Sequence, residues 1–257
     1  MPVWQAVYEE LRDRNFVVIA VALDSAGAAA AREPIEAAGP PAEMAAVVKN
    51  LMGWDDDVWS RAGRAAYPCL IDEKHVVAEL YDMVNVPTAV WIDEQGRIVR
   101  PPESGGSTDS FRKMDPATFA LPEDAATAAR QARRVYLDAI RDWVRNGERS
   151  RYAYKREEAV RRTRMPTEGA ALASAWFRLG KHFQEKGDLA SAQKYLKKAV
   201  GLRPESWNFR RQTYVLADPA LTGQLNSQPE FFADVAALGD RSYYEPVDME
   251  GMPKKPG

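Results

Sequence analysis

The sequence predicts an α/β domain followed by an all-α region, and three observations support this arrangement. Apolar runs with the length and β-branched content of strands occur at residues 16–23 and 88–93. Segments with apolar residues at helical spacing separate and follow these runs. Between residues 173 and 204, two amphipathic segments joined by Gly187-Asp188 have the pattern of a helical hairpin. We therefore expect a mixed first half and a helical second half.

The composition is that of a globular protein and argues against several classes. The 257 residues, 46% hydrophobic and 28% charged, suffice for two domains, and we expect these at 1–122 and 123–242, with a tail at 243–257. A net charge of −2 gives no reason to expect nucleic acid as a partner. No apolar run is long enough to span a bilayer and the first residues are not a signal peptide, so the chain as written is expected to be cytoplasmic.

The first half begins with a helix and a strand. Val3, Val7 and Leu11 recur at helical spacing within residues 2–14 and give one apolar stripe. Residues 16–23 form a nearly continuous apolar run, which is typical of a parallel strand buried on both faces. A helix followed by a buried strand that ends at a polar residue, Asp24, is half of an α/β unit.

Residues 25–66 lengthen the connection to the next strand, and we expect them to form a helical insertion. Asp55, Asp56 and Asp57 open the last of its helices. Three adjacent carboxylates suggest a cation site, but consecutive side chains point in different directions and lack the spacing of a calcium loop. A solvated helix N-terminus is the simpler interpretation, so no metal site is expected.

A short strand at 67–72 carries Cys69, the single cysteine of the chain. One cysteine excludes an internal disulfide and any cysteine-based metal site. In a buried strand it is most simply a small core residue, and a one-cysteine peroxidatic thiol is the alternative. A helix at 73–84 follows, with His75 on its polar side at the surface. Its inward-facing residues are expected to be Val76, Val77, Leu80 and Met83.

Residues 83–99 contain the feature around which the first half is organised. A helical run ends near Asn85, Pro87 follows a β-branched valine, and the strand at 88–93 turns through a Gly-containing tetrapeptide into a second strand. Proline is tolerated at the first residue of a strand, and an X-Pro bond is the only peptide bond for which cis is cheap. Taken alone, this position fits an ordinary strand-start proline and a cis proline equally well.

The Val86-Pro87-Thr88 sequence, the strand ending in Ile92-Asp93 and the glycine turn resemble the C-terminal half of the thioredoxin fold in TlpA-like and peroxiredoxin-like redoxin proteins. The resemblance implies that Pro87 is cis and faces a redox dithiol. It implies that Val86 offers its backbone to an extended substrate, within a binding segment of Val86, Pro87 and Thr88. A redoxin is a thiol-disulfide oxidoreductase, which acts on protein thiols or disulfides and needs no cofactor.

The sequence departs from the redoxin pattern at its start. In that family a strand and a Cys-x-x-Cys motif precede the first helix, and Met1-Pro2 resembles the Met-Pro that follows the second cysteine. The fold class is then thioredoxin-like with the first, central strand absent, and the chain has no catalytic residue of its own. Three explanations stay open: a longer protein whose start lies upstream, for example beyond a selenocysteine codon read as a stop; a deliberately shortened chain; or a non-redox descendant. A longer protein leaves the localisation open.

The first part of the second half is predicted to be one long helix. Residues 123–146 carry an apolar stripe that includes Ala132, Tyr136 and Trp143, and Gly147 suits its C-cap. The following residues, 149–164, are rich in arginine and contain two tyrosines. Such a run is able to hold RNA, but its interspersed glutamates favour a solvated helix face.

Residues 173–204 resemble one tetratricopeptide (TPR) repeat, so the second domain is predicted to be TPR-like. The signature positions of that repeat are occupied by Trp176, Leu179, Gly180, Phe183, Ala192, Leu196, Ala199 and Pro204. One repeat makes no groove, so the hairpin is expected to cap the first domain or to form a contact between two copies of the chain. The alternative function is therefore a non-catalytic protein that binds a peptide or a partner protein. Helices at 207–216 and within 221–238 are expected to complete the layer.

Overall fold

The computed structural model describes residues 2–115, 118–217 and 229–253. The first half is mixed α/β with two small sheets, and the second half is helical. The helices are α1 (Pro2–Leu11), α2 (Ala28–Glu36), α3 (Ala45–Met52), α4 (Asp56–Ser60), α5 (Val76–Leu80), α6 (Glu123–Asn146), α7 (Arg156–Arg162), α8 (Glu168–Glu185), α9 (Leu189–Leu202), α10 (Trp207–Ala217) and α11 (Pro229–Ala236). The strands are β1 (Ala20–Ala22), β2 (Cys69–Ile71), β3 (Ala89–Ile92) and β4 (Ile98–Glu103). No helix within these ranges is long and apolar enough to cross a membrane.

One hydrophobic core joins α1, β3 and α6. Val3, Val7 and Leu11 are buried on α1, as their spacing predicts, and they belong to the same cluster as Trp91 and Tyr136. The Trp91 indole N–H donates a 2.8 Å hydrogen bond to the Tyr136 hydroxyl. Each of these buried aromatic side chains therefore has a partner for its polar atom, as the interior of a protein requires.

The strands form two separate two-stranded sheets. β1 runs parallel to β2, and β3 runs antiparallel to β4. The predicted hairpin is confirmed, and its turn uses Gly96 at φ +75°, a conformation that glycine adopts without strain. Among the described residues no backbone ladder joins β1 to β3.

The prediction that residues 16–23 form a strand buried on both faces is wrong. β1 covers three residues, and no residue from 16 to 23 is buried. Val17 and Ile19 are 55% and 57% exposed. The physical reason is that β1 pairs on one side only, whereas a parallel strand becomes buried when other strands flank it and helices cover both faces of the sheet.

The helix after β2 is shorter than predicted and turns a different face inward. Both carboxylate oxygens of Asp72 accept backbone N–H groups, from Val76 at 2.7 Å and from Ala78 at 3.0 Å, and this fixes the first turn of α5. Ala78 is then buried, while Val76 and Leu80, which were predicted to face inward, are exposed. His75 was predicted at the surface and is instead buried.

β4 extends through two prolines that were predicted to lie beyond the sheet. Pro101 and Pro102 fit within β4 because they lie where its register with β3 shifts, opposite one residue of β3, and because β4 is an edge strand. The Tyr154 N–H donates to the Val99 carbonyl at 2.9 Å and covers part of that outer edge.

The helical second half contains the predicted hairpin, formed by α8 and α9. The connecting turn places Gly187 at φ +77°, and the Asp188 carboxylate caps α9 by accepting the Ser191 N–H at 3.0 Å. α10 packs on the hairpin through Phe209, whose ring stacks on Phe177 with centroids 4.5 Å apart. The predicted segment at 221–238 is described from residue 229 onward, as α11, and the last four residues of the predicted tail lie outside the described residues.

Gly180 of α8 faces α9 so closely that a methyl group does not fit. A Cβ at this position lies 2.7 Å from Leu196 Cγ and 3.2 Å from the Ala192 carbonyl oxygen. We expect Gly180→Ala to lower the free energy of unfolding by about 1–2 kcal/mol, because overpacking outweighs the gain in helix propensity. Urea unfolding followed by circular dichroism measures this. The matched control is Gly201→Ala on α9, where nothing lies within 4 Å and no loss is expected; equal losses would contradict the close approach.

Candidate functional site

The candidate site is the turn that leads into β3. The expected cis Val86–Pro87 bond is confirmed. Thr88 closes the turn by donating its hydroxyl to the Asn85 carbonyl at 2.6 Å. Val86, Pro87 and Thr88 are all half-buried. They lie next to one another at the start of the hairpin, as the sequence predicts.

Both backbone groups of Val86 are paired within the chain. Its N–H donates to Asn85 Oδ1 at 2.8 Å, and its carbonyl accepts the Tyr244 hydroxyl at 2.9 Å. Burial raises the pKa of Tyr244, which keeps this hydroxyl protonated and able to donate at neutral pH. An extended substrate that pairs with the Val86 carbonyl would therefore have to displace Tyr244. Substrate binding by Val86, Pro87 and Thr88 stays a prediction.

Asp109 holds the C-terminal segment over this turn. Its two carboxylate oxygens accept the backbone N–H groups of Tyr243 at 2.9 Å and Tyr244 at 2.7 Å, and Arg112 lies 3.3 Å away. The Asn85 amide adds a 3.1 Å hydrogen bond to the Tyr243 carbonyl. Sequence reasoning missed these contacts because they join residues more than 130 positions apart, and no local pattern marks them.

The helical half contacts the residues just before the turn as well. Asn208 of α10 donates its side-chain amide to the Met83 carbonyl at 2.7 Å and its backbone N–H to the Val84 carbonyl at 3.1 Å. Arg203 forms an ion pair with Asp82, and both side chains are largely withdrawn from solvent. The segment from 82 to 88 is thus fixed by two separate parts of the second half.

Cys69 lies away from the hairpin, on β2 of the other sheet, where it pairs with Ala20. Its side chain is half-buried, and burial raises the pKa of the thiol. A raised pKa lowers the fraction of thiolate at neutral pH, which is the opposite of what a reactive cysteine needs. The structure therefore gives Cys69 the environment of a packing residue.

A second buried polar cluster lies where the first half meets α8. Ser25 Oγ is 3.2 Å from His75 Nε2, and Lys181 Nζ donates to the Ser25 carbonyl at 3.0 Å. His75 Nδ1 has no hydrogen-bond partner among the described residues. The carboxylate oxygens of Asp72 accept backbone N–H groups at the start of α5. Among the described residues, no acidic group is thus placed to orient the histidine as the base of a nucleophilic triad. Burial lowers the pKa of His75 to about 4, so it is neutral at pH 7.

The three adjacent aspartates at the start of α4 do not converge. Each one pairs with a different basic residue. The pairs are Asp55 with Arg134, Asp56 with Lys49, and Asp57 with Arg61. Within the part of the chain that the structure describes, no group of three or more His, Cys, Asp or Glu side chains is placed to hold a metal ion.

Comparison of the chain with known protein families, with curated proteins and with solved structures finds no match. The resemblance to redoxin proteins therefore remains a hypothesis that depends on the residues of this chain.

The hydroxyl of Tyr244 can be removed without removing its ring. We expect Tyr244→Phe to lower the free energy of unfolding by about 1–3 kcal/mol, because the Val86 carbonyl loses its partner. The matched control is Tyr154→Phe, which removes an exposed 3.2 Å hydrogen bond to the Asp248 carbonyl and is expected to cost about 0.5 kcal/mol or less. Urea unfolding compares the two. Equal losses would show that the Tyr244 hydroxyl does not stabilise the turn.

His75 should make stability fall in acid. Its pKa is about 4 in the folded chain, against 6.5 as the ordinary value, so between these pH values the unfolded chain binds more protons. Stability is therefore full above pH 6.5 and decreases as the pH falls to 4, by about 3 kcal/mol from this residue. Urea unfolding at pH 7 and pH 4.5 measures the change. His75→Gln should lose most of it and the control His182→Gln should retain it; a wild-type pH dependence in His75→Gln would contradict this assignment.

Proposed function

We propose that this chain belongs to a thioredoxin-like thiol-disulfide oxidoreductase whose redox dithiol, or selenocysteine equivalent, lies upstream of residue 1. The observation that supports the proposal is that apolar residues beside β1 and in β3 are exposed, and that these two strands lie in separate sheets. The sequence of residues 16–23 is apolar on both faces, as in strands that lie inside a sheet, yet Val17 and Ile19 are exposed. Ile92 of β3 is exposed as well, and β1 and β3 belong to separate sheets.

An additional strand would explain why residues 16–23 have the apolar sequence of an inner strand although Val17 and Ile19 are exposed in this chain. Unpaired strand edges with apolar side chains are prone to aggregation, and proteins normally pair or cover them. In the redoxin family a strand lies between the counterparts of β1 and β3, and it leads into the dithiol at the start of the first helix. The same strand would join the two sheets and shield Val17, Ile19 and Ile92.

The proposed reaction is thiol-disulfide exchange. A thiolate attacks one sulfur of a substrate disulfide, forms a mixed disulfide and releases the other sulfur as a thiolate, which takes up a proton. The second thiol of the dithiol then attacks the mixed disulfide. The substrate leaves reduced, with two thiols, and the dithiol ends as a disulfide. In this proposal Pro87 faces the dithiol, and an extended substrate exchanges with Tyr244 for the carbonyl of Val86.

A non-catalytic binding protein is the second candidate, and the pairing of Val86 favours it. The chain already occupies the Val86 carbonyl with Tyr244 and the Val86 N–H with Asn85. A turn that serves only to dock the C-terminal segment has no need of a dithiol. The partner would then be a peptide or a protein, bound by the exposed strand edges or by the helical half.

The test compares this chain with the product of the same gene extended upstream in frame. The assay is reduction of insulin disulfides with dithiothreitol as the electron donor. We expect no rate above background for this chain, because Cys69 has neither a second thiol nor a lowered pKa. We expect turnover by the extended product, if it carries a dithiol or its selenocysteine equivalent, and loss of turnover when either of those two residues is replaced by serine.

The control is Cys69→Ala in the extended product, which should leave turnover unchanged. An upstream stop codon with no dithiol would reject the oxidoreductase and favour the binding protein. An extended product that contains the dithiol but does not reduce insulin would also contradict the proposal. So would insulin reduction by this chain that is lost with Cys69→Ala, because the only thiol described here would then be the reactive one.

A further inference from the structure

A pocket of about 80 Å³ lies between the long helix α6 and the aromatic residues at the C-terminal end of the chain. At 10–15 Å³ for each water-sized group, this volume has room for about five to eight such groups. Phe111, Phe231 and Phe232 supply apolar walls. Arg133 of α6 and Arg211 of α10 also line it. The pocket thus combines aromatic walls with two cationic side chains.

Arg133 is a buried cation without an acidic partner. It is 2% exposed, and it forms no ion pair with any carboxylate among the described residues. Its three nitrogens donate to the Met52 carbonyl, the Gly105 carbonyl and Ser107 Oγ. These bonds use three of the five N–H donors of the guanidinium, which also stacks on the Trp54 ring with Cζ 4.3 Å from the ring centroid. Burial lowers the pKa of Arg133 to about 10, so the group is still charged at neutral pH.

Arg211 also lines the pocket, and one of its guanidinium nitrogens has no hydrogen-bond partner among the described residues. Its Nη2 donates to the Tyr243 hydroxyl at 2.6 Å, while its buried Nε has no partner in the described part of the chain. Its neighbour Arg210 also has a buried Nε without a partner among the described residues, but Arg210 does not line the pocket and pairs with Asp234 at 3.0 Å. Asp109 is bound to Arg112 and to two backbone N–H groups. Neither of these acids forms an ion pair with Arg211.

The guanidinium groups of Arg133 and Arg211 favour the binding of an anion in this pocket. Removing a cation from water is costly unless an anion or several hydrogen-bond acceptors replace the lost water. Guanidinium groups bind carboxylates and phosphates by short, charge-assisted hydrogen bonds, often with two parallel N–H donors. The aromatic walls add favourable burial for a flat apolar group. A ligand with one anionic group and one aromatic ring meets both conditions.

We propose that this pocket binds a small organic anion, with its carboxylate or phosphate between Arg133 and Arg211 and its planar apolar body among Phe111, Phe231 and Phe232. The pocket shares Tyr244 with the turn at Pro87, but binding of an anion in it does not require the proposed redox chemistry. Its ligand class is that of small aromatic acids and aromatic phosphate monoesters. The pocket of about 80 Å³ is smaller than the cavity of about 150 Å³ that holds benzene, so a one-ring ligand fills it and extends into its open mouth.

The test is isothermal titration calorimetry on this chain with benzoate and phenyl phosphate as probes. Each probe has a matched partner: benzamide has the ring without the charge, and inorganic phosphate has the charge without the ring. We expect saturable binding of at least one aromatic anion. We expect benzamide and inorganic phosphate to bind about 10-fold more weakly or worse, because each lacks one of the two interactions. The aromatic anion that binds more tightly identifies the preferred head group.

The variants separate the pocket from general surface charge. Arg211→Gln should weaken binding of the preferred probe by about 10-fold or more, because it removes a charge-assisted hydrogen bond. Arg210→Gln is the matched control on the same helix and should leave binding unchanged. Circular dichroism verifies that both variants are folded. The proposal is overturned if neither aromatic anion binds saturably, if benzamide binds as tightly as benzoate, or if the two variants weaken binding equally.

Discussion

The carboxylate of Asp109 fixes the end of the chain against its first half, and both sites described above depend on this contact. Its oxygens accept the N–H groups of Tyr243 and Tyr244, at 2.9 and 2.7 Å. Hydrogen bonds to a charged group contribute about 1.5–3 kcal/mol each. With the backbone held there, Tyr244 reaches the carbonyl of Val86 and Tyr243 reaches the guanidinium of Arg211. One anchor therefore positions a wall of the pocket and the cover of the turn.

The first half keeps a packed core although its strands form two separate sheets. α1 and α6 pack on the hairpin through Trp91 and Tyr136, whose polar atoms pair with each other. Arg100 of β4 is buried beside Glu103 in a two-point ion pair and also donates to the Asp248 carbonyl. These contacts tie the hairpin to the long helix and to the C-terminal segment. The residues of β1 and β2 do not belong to that core: those of β1 are half-buried, and Leu70 and Ile71 of β2 are exposed.

The spacing of apolar residues predicts two kinds of element: helices with a long apolar stripe, and hairpins whose two segments are close in sequence. α1, α6 and the α8–α9 hairpin follow the sequence closely, and the hairpin with its glycine turn does as well. The exposure within residues 16–23 could not be predicted, because whether a strand is buried depends on other elements that flank it. The inward turn of His75 depends on the hydrogen bonds that Asp72 makes to the next helix. The turn at Pro87 could be found from sequence, but its cover by Tyr244 could not, since 158 positions separate Val86 from that residue.

The two prolines of β4 have a consequence for how copies of this chain can associate. Pro101 and Pro102 have no N–H to offer, and Tyr154 already occupies the Val99 carbonyl on the outer side. The outer edge of β4 is therefore closed, whereas no strand among the described residues pairs with the outer edge of β3. If two copies met through this edge of β3, no further copy could add to that sheet. Assembly through this hairpin is thus self-limiting at a dimer instead of propagating into a fibre.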